Sequence, residues 1–342
     1  MIIHSKAPFR IGLAGGGTDV SPYSDQFGGA VLNATLNLYA SSTIIPKNDG
    51  KIVLKATNLE KVIILNSASF LEINGELDLQ KGVYNRIIKT FNLAPLSFEL
   101  ITKMDVLPGS GLGTSSTLVV SIIGAFVQWL KLPLGNHDIA QLAFSIERED
   151  LKMAGGKQDQ YAATFGGINF IEFFADNQSI VNPIRVRDEW IETLQNNLIL
   201  FYTKTSRESA KIIAVQAENV VQKQEKPINA MHFLKEHAFE MKAAISIGDL
   251  TGVGQLLDKS WQQKKQMANG ISTSEIDRIY NAVINAGAIG GKISGAGGGG
   301  FMIIYVNQNH RANVIEALHE FQGEIYPFVF CKEGLITWSE DE

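Results

Sequence analysis

The chain has 342 residues, enough for two domains of ordinary size, and its 45% hydrophobic content supports a sizeable core and excludes global disorder. Thirty Lys and Arg against 35 Asp and Glu leave a net charge of −5, and no run of four or more basic residues occurs, which excludes a general nucleic-acid binder. The single cysteine, Cys331, excludes an internal disulfide and fits a reducing compartment.

The N-terminus, MIIHSKAPFR, has no apolar signal region, and the longest apolar stretch, Leu118 to Leu130, is too short to span a bilayer and contains Gln128. A soluble, cytoplasmic protein is expected, with no membrane partner. The six histidines form no HExxH, and His232 and His237 fall on different helix faces, so no zinc site is expected.

In chain order, Phe9, Ile11 and Leu13 alternate with Pro8, Arg10 and Gly12, which predicts a strand running into Gly15-Gly16-Gly17-Thr18-Asp19. Further strands are predicted around 29–45, 51–56, 61–66 and 97–104. A helix is predicted over 115–131, stopped by Pro133. Another starts near His137 with Asn136 as N-cap, carries Ile139, Leu142, Ala143 and Ile146 on one stripe, and ends at Gly155–Gly156. A strand follows at 167–174. Residues 175–190 are polar and include Pro183, which predicts a boundary between domains 1–185 and 186–342. Beyond it come a strand at 197–202, a mostly helical stretch at 206–286, and strands at 292–293 and 301–306. A helix at 309–322 and a strand at 325–330 close the chain.

Glycine is in excess, at 32 residues, and 11 of them cluster at 15–17, 109–113 and 295–300. Glycines permit positive φ and let backbone N–H groups approach an anion, and a helix N-terminus adds the favourable end of its dipole. In Pro108-Gly109-Ser110-Gly111-Leu112-Gly113-Thr114-Ser115 the residues alone fit a capped turn as well; a strand before and a helix after favour a phosphate. No GxxxxGK[ST] exists. The formal GxGxxG at Gly295, Gly297 and Gly300 leads into a predicted strand rather than a helix, against a dinucleotide site. Asp159 follows Gly155–Gly156, and Glu147 sits at the edge of the apolar stripe. One suits a general base and the other a hard cation, yet both residue types also serve as a turn former and an exposed helix carboxylate. Asp150 lies nearer the middle of that stripe, so helical geometry does not choose Glu147.

Pro8-x-Arg10 with Gly15–Asp19, the Pro108–Ser116 loop, and Ser294-Gly295-Ala296-Gly297-Gly298-Gly299-Gly300 resemble, in order and spacing, the three signature motifs of the GHMP kinases. The stretches AGGGTDVSPYSDQFGGAVLNATLN, GGKQDQYAATFGG and YTKTSRESA resemble the heptose and fucose kinase branch. The resemblance implies a two-domain α+β fold: an N-terminal mixed sheet with helices, and a C-terminal ferredoxin-like domain with a helical insertion. It implies ATP and Mg²⁺, with ATP on residues 108–115 and the metal on Ser115 and Glu147, so that Glu147 rather than Asp150 is selected. Asp159 becomes the catalytic base and Arg10 its cationic partner. Gly17, Thr18, Asp19, Gly297 and Gly298 become acceptor-binding residues. The implied reaction is phosphorylation of the anomeric C1 hydroxyl of a sugar phosphate, a heptose 7-phosphate, with L-fucose or another free sugar as the alternative. A catalytically silent sensor on the same fold would not need both a metal set and a base.

Two departures bear on this. Thr114 replaces the first of the usual serine pair and keeps a hydroxyl. Gly-Gly-Gly-Thr-Asp replaces the Gly-Glu-His-Thr-Asp of galactokinases, which argues against galactose. An acceptor phosphate needs a cation beyond Arg10. Arg207, three residues after Lys204 beside a strand end, is the candidate, an ordinary solvated arginine being the competing reading. A homodimer is compatible with the resemblance.

Overall fold

The computed structural model describes residues 1–175, 178–205 and 209–341. Strand β1 (Ile2–Ala14) leads through the first glycine loop and the short α1 (Tyr23–Phe27) into the long β2 (Gly29–Pro46). Strands β3 (Lys51–Ala56) and β4 (Lys61–Asn66) form a hairpin, and α2 (Asp78–Phe91) crosses to β5 (Phe98–Met104), which pairs parallel to β3. Helices α3 (Thr114–Leu130), α4 (Asn136–Ser145) and α5 (Gln158–Phe165) precede β6 (Ile168–Phe173) and β7 (Ser179–Pro183). These strands make a mixed sheet of order β12-β1-β2-β5-β3-β4, with β6 and β7 branching from the first half of β2; β12 (Ile336–Glu340) is the last strand of the chain and pairs antiparallel to β1.

After α6 (Asp188–Asn197) comes a second sheet. Its strand β8 (Leu198–Tyr202) is separated from β9 by four helices: α7 (Ser209–Val221), α8 (Glu225–Ile247), α9 (Leu250–Lys264) and α10 (Ser274–Asn285). Strands β9 (Gly290–Ile293) and β10 (Phe301–Tyr305) flank the third glycine loop, and α11 (Gln308–His319) leads to β11 (Glu324–Tyr326). The antiparallel order β11-β8-β10-β9 on a βαββαβ chain path is ferredoxin-like, with the helical insertion between its first two strands.

Phe9, Ile11 and Leu13 are buried as alternation requires, but so is the opposite face of β1 from Ala7 onward, because α3 and α5 pack against the strand and α8 and α9 also touch it. Arg10 therefore sits in the interior. The inward face of α3 adds Val119, Ile122, Ile123 and Phe126, all fully buried, to the core around the first sheet, and a second cluster that includes Phe201, Trp261 and Ile304 lies around the other sheet. Among the described residues no helix is long and apolar enough to cross a membrane.

Several sequence expectations need correction. The N-cap of α4 is Gly135, whose N–H donates to Asp138 Oδ2 at 2.9 Å, and Asn136 is the first helical residue. The helix does not continue to Gly155, since Ile146–Asp150 forms a π-helical turn. Strand β7 and the start of helix α6 occupy half of the polar stretch read as a connection. The strand at 325–330 shrinks to β11, with Phe330 making only an isolated bridge to Leu36. Helix α2 and strand β12 were not anticipated.

Candidate active site

Arg10 joins three segments. It is 3% exposed; its Nε donates to Asp159 Oδ1 at 2.7 Å, Nη2 lies 2.5 Å from the same oxygen, and Nη1 donates to the Gly111 carbonyl at 2.8 Å. Asp159 is the second residue of α5, with its side chain 22% exposed. One guanidinium thus binds strand β1, the first turn of α5 and the second glycine loop, in the fork geometry that suits arginine rather than lysine.

The loop's shape follows from its glycines. Gly109, Gly111 and Gly113 have φ of 77°, 84° and 78°, a region other L-residues enter only at a cost of about 1–2 kcal/mol. A Cβ on Gly113 would lie 2.9 Å from Asp159 Cγ, and one on Gly111 2.6 Å from the Ser294 carbonyl oxygen. Behind it, the Phe301 N–H donates to the Ser110 carbonyl at 3.0 Å. The third glycine loop is therefore a backbone buttress for the second. No side chain caps the N-terminus of α3, so its first-turn N–H groups are left to an anion.

Ser115, in that first turn, donates from Oγ to Glu147 Oε1 at 3.0 Å. Glu147 is fully buried, and its Oε2 accepts from Gln160 Nε2 at 2.6 Å. The π turn explains the choice between carboxylates that helix periodicity left open. An extra residue in the turn shifts the phase by about 100°. Ile146 and Glu147 turn inward while Asp150 moves to the surface, where Arg86 holds both its oxygens at 2.6 and 2.7 Å.

Pro108, Gly109, Gly111, Gly113, Thr114 and Ser115 line a cavity of about 640 Å³. One set of its walls is largely apolar, from Leu59, Leu77 and Met104; another is polar, from Gly17, Asp19, Gln158, Asp159 and Lys264. Asp19 is 1% exposed and accepts from the N–H of Gly17 at 3.1 Å, the N–H of Gln158 at 3.1 Å, and Gln158 Nε2 at 3.0 Å.

Other expected site residues lie elsewhere. Ser110 and Leu112 are buried behind the loop rather than in the cavity wall; the Leu112 carbonyl accepts from the Arg10 N–H at 3.3 Å. Thr18 is fully buried and outside the cavity wall, and its hydroxyl donates to the carbonyls of Gly15 and Ala30 at 2.8 and 3.0 Å, which fixes the first loop. Gly297 and Gly298 pack on Ile271, and the Gly298 N–H donates to its carbonyl at 2.7 Å; Gly295 and Ala296 line the cavity in their place. Arg207 lies outside the described residues. Lys264, at the end of α9, was missed, its only sequence sign being the adjacent pair Lys264–Lys265.

A positive-φ glycine loop at an uncapped helix N-terminus, beside an arginine–carboxylate pair and a buried serine–glutamate pair, is the arrangement expected of a phosphotransferase. The GHMP kinases N terminal domain model matches residues 78–167, and the GHMP kinases C terminal model matches 241–324. The chain is 46% identical over 336 residues to the D-glycero-alpha-D-manno-heptose 7-phosphate kinase of Campylobacter jejuni, covering 98% of each. Its fold is similar to the crystal structure of a D-glycero-D-manno-heptose 1-phosphate kinase from Bacteroides thetaiotaomicron, with a TM-score of 0.85 and 41% identity over 99% of this chain and 100% of that one. It is 28% identical to the L-fucokinase/L-fucose-1-P guanylyltransferase of Bacteroides fragilis, covering 88% of this chain and 34% of that protein. The chain belongs to the GHMP kinases, a family of enzymes that use ATP as phosphoryl donor.

Proposed function

We propose that the protein transfers the γ-phosphoryl group of ATP to the C1 hydroxyl of D-glycero-D-manno-heptose 7-phosphate, giving the 1,7-bisphosphate for nucleotide-activated heptose. The observation that carries this reading is the Arg10–Asp159 pair held against Gly113, which sets a carboxylate and a cation beside the phosphate loop. The nearly full-length similarity to a heptose 7-phosphate kinase supports the choice of sugar.

In this reading the 109–115 amides hold the triphosphate. Asp159 accepts the hydrogen bond of the C1 hydroxyl and takes its proton as the new oxygen–phosphorus bond forms. The bond between the γ-phosphorus and the β,γ-bridging oxygen breaks, and ADP leaves. Arg10 neutralises charge on the transferred group and fixes the carboxylate. Because phosphoryl transfer is largely dissociative, positioning and charge neutralisation outweigh proton removal.

The residues fit Mg²⁺. Two hard oxygens, Ser115 Oγ and Glu147 Oε1, lie 3.0 Å apart, the separation of neighbouring corners of an octahedron with about 2.0–2.1 Å bonds. When bound there, the ion supplies charge neutralisation on the phosphate oxygens, and Gln160 orients the glutamate. We place the domain boundary at 185/186, just after β7, with β12 returning to the first sheet. The need for ATP and the lone cysteine support a cytoplasmic setting.

An ADP-release assay across heptose 7-phosphate, heptose 1-phosphate, L-fucose, galactose, mevalonate and homoserine tests the reading. The expected kcat/KM for heptose 7-phosphate exceeds that for L-fucose at least ~100-fold, since a site built for a polar group rejects analogues lacking it. A preference for L-fucose would overturn it.

A further inference from the structure

We infer that Lys264 holds the phosphate of the acceptor sugar and so sets the preference for a phosphorylated over a phosphate-free sugar; this rests on the sugar-phosphate reading above. Lys264 ends α9, is 2% exposed, and lines the cavity beside Asp19 and Gln158. Its amine donates to the Gly295 carbonyl, which occupies one of three N–H groups.

The first glycine loop supplies the space. Gly15 and Gly17 are required by the fold: both have positive φ, and a Cβ would come within 1.9 Å of the Ala30 carbonyl oxygen and 2.4 Å of Met267 Cε, respectively. Gly16 is different. A Cβ there would meet only Lys264 Nζ at 3.7 Å and Gln158 Nε2 at 3.9 Å, both ordinary contacts, and its φ lies outside the left-handed region. Neither crowding nor backbone conformation requires glycine at 16. Its bareness leaves room in front of a buried amine and an amide.

Among the described residues, two of the cavity's other cations are engaged. Arg10 is committed to Asp159 and Gly111, and Arg148 donates to the carbonyls of Met153, Ala154 and Gly156. Lys103 is exposed, on β5. The charged groups facing Lys264 are Arg10 from β1, Asp19 from the loop after it, and Lys292 from β9. Asp19 already accepts three N–H bonds and does not saturate the amine. Burial first, and the Arg10 charge second, bring the Lys264 ammonium down to about 8 against the opposing pull of Asp19. A phosphate monoester, carrying about −1.5 to −2 at neutral pH, relieves that destabilisation.

The test compares kcat/KM for heptose 7-phosphate with kcat/KM for phosphate-free heptose. In Lys264→Met the ratio is expected to fall at least ~30-fold, as truncating one partner of a buried charge pair requires. Lys264→Arg retains most of the preference, and Gly16→Glu, which sets a carboxylate before an intact amine, also lowers it. In the wild type the KM for the sugar phosphate rises as pH passes about 8, where the free enzyme's lysine loses its proton, and Lys264→Arg abolishes that rise. An unchanged ratio in a folded Lys264→Met, or equal losses on both sugars, overturns the assignment while leaving the substrate reading intact. A wild type without preference for the phosphorylated sugar overturns both.

Discussion

Replacing Asp159 by Asn is expected to lower kcat at least ~100-fold while the KM for ATP stays within about threefold, the range general-base removal gives when binding is untouched. The substitution is nearly isosteric, so the close approach of Gly113 to this side chain is kept. The amide oxygen still accepts from Arg10, but it cannot take a proton from an alcohol. In the proposed binding mode ATP is held by the loop amides and Ser115, none of which depends on the carboxylate's charge. Steady-state kinetics with varied ATP separate the two effects. Turnover near that of the wild type would remove Asp159 from the chemistry and reduce it to a loop anchor.

Replacing Arg10 by Lys is expected to cost more, about 10³-fold in kcat, in the range of arginines that stabilise a transferring phosphoryl group. The charge survives but the fork does not. A lysine amine cannot hold Asp159 from two nitrogens while also donating to the Gly111 carbonyl, so the carboxylate and the loop lose their common brace. Because both residues act through one arrangement, Arg10→Lys combined with Asp159→Asn is expected to lose little more than Arg10→Lys alone. Multiplying losses in that double-mutant cycle would mean that the two act separately.

The site was legible where chemistry required a residue type that local structure does not. Gly109, Gly111 and Gly113 announced a positive-φ loop, and a strand before it with a helix after it gave the loop a direction. Arg10 and Asp159 could be assigned only through the family resemblance, since nothing local marks two residues 149 positions apart as partners. Glu147 was ambiguous for a physical reason: the π turn shifts the helix phase, and a regular period cannot express it. Thr18, Gly297 and Gly298 do not line the cavity, because a small or hydroxyl residue in a motif can serve the backbone as well as a ligand. Here the Gly15, Ala30 and Ile271 carbonyls claim them.

Elements were missed where a signal was short or depended on a remote partner. Strand β12, only five residues long, becomes a strand because β1 offers it a free edge. Lys264 escaped for a similar reason. On α9 it reads as the polar end of an amphipathic helix, and only packing of Leu257 and Trp261 into the interior carries its amine to the first and third glycine loops.

The most direct test of phosphoryl transfer to C1 is a ³¹P spectrum of the product made from heptose 7-phosphate and ATP. A new sugar phosphorus coupled to the anomeric proton, appearing with stoichiometric ADP, is the predicted result. A new phosphorus coupled to any other ring proton, or ADP formed without a new sugar phosphate, would contradict it.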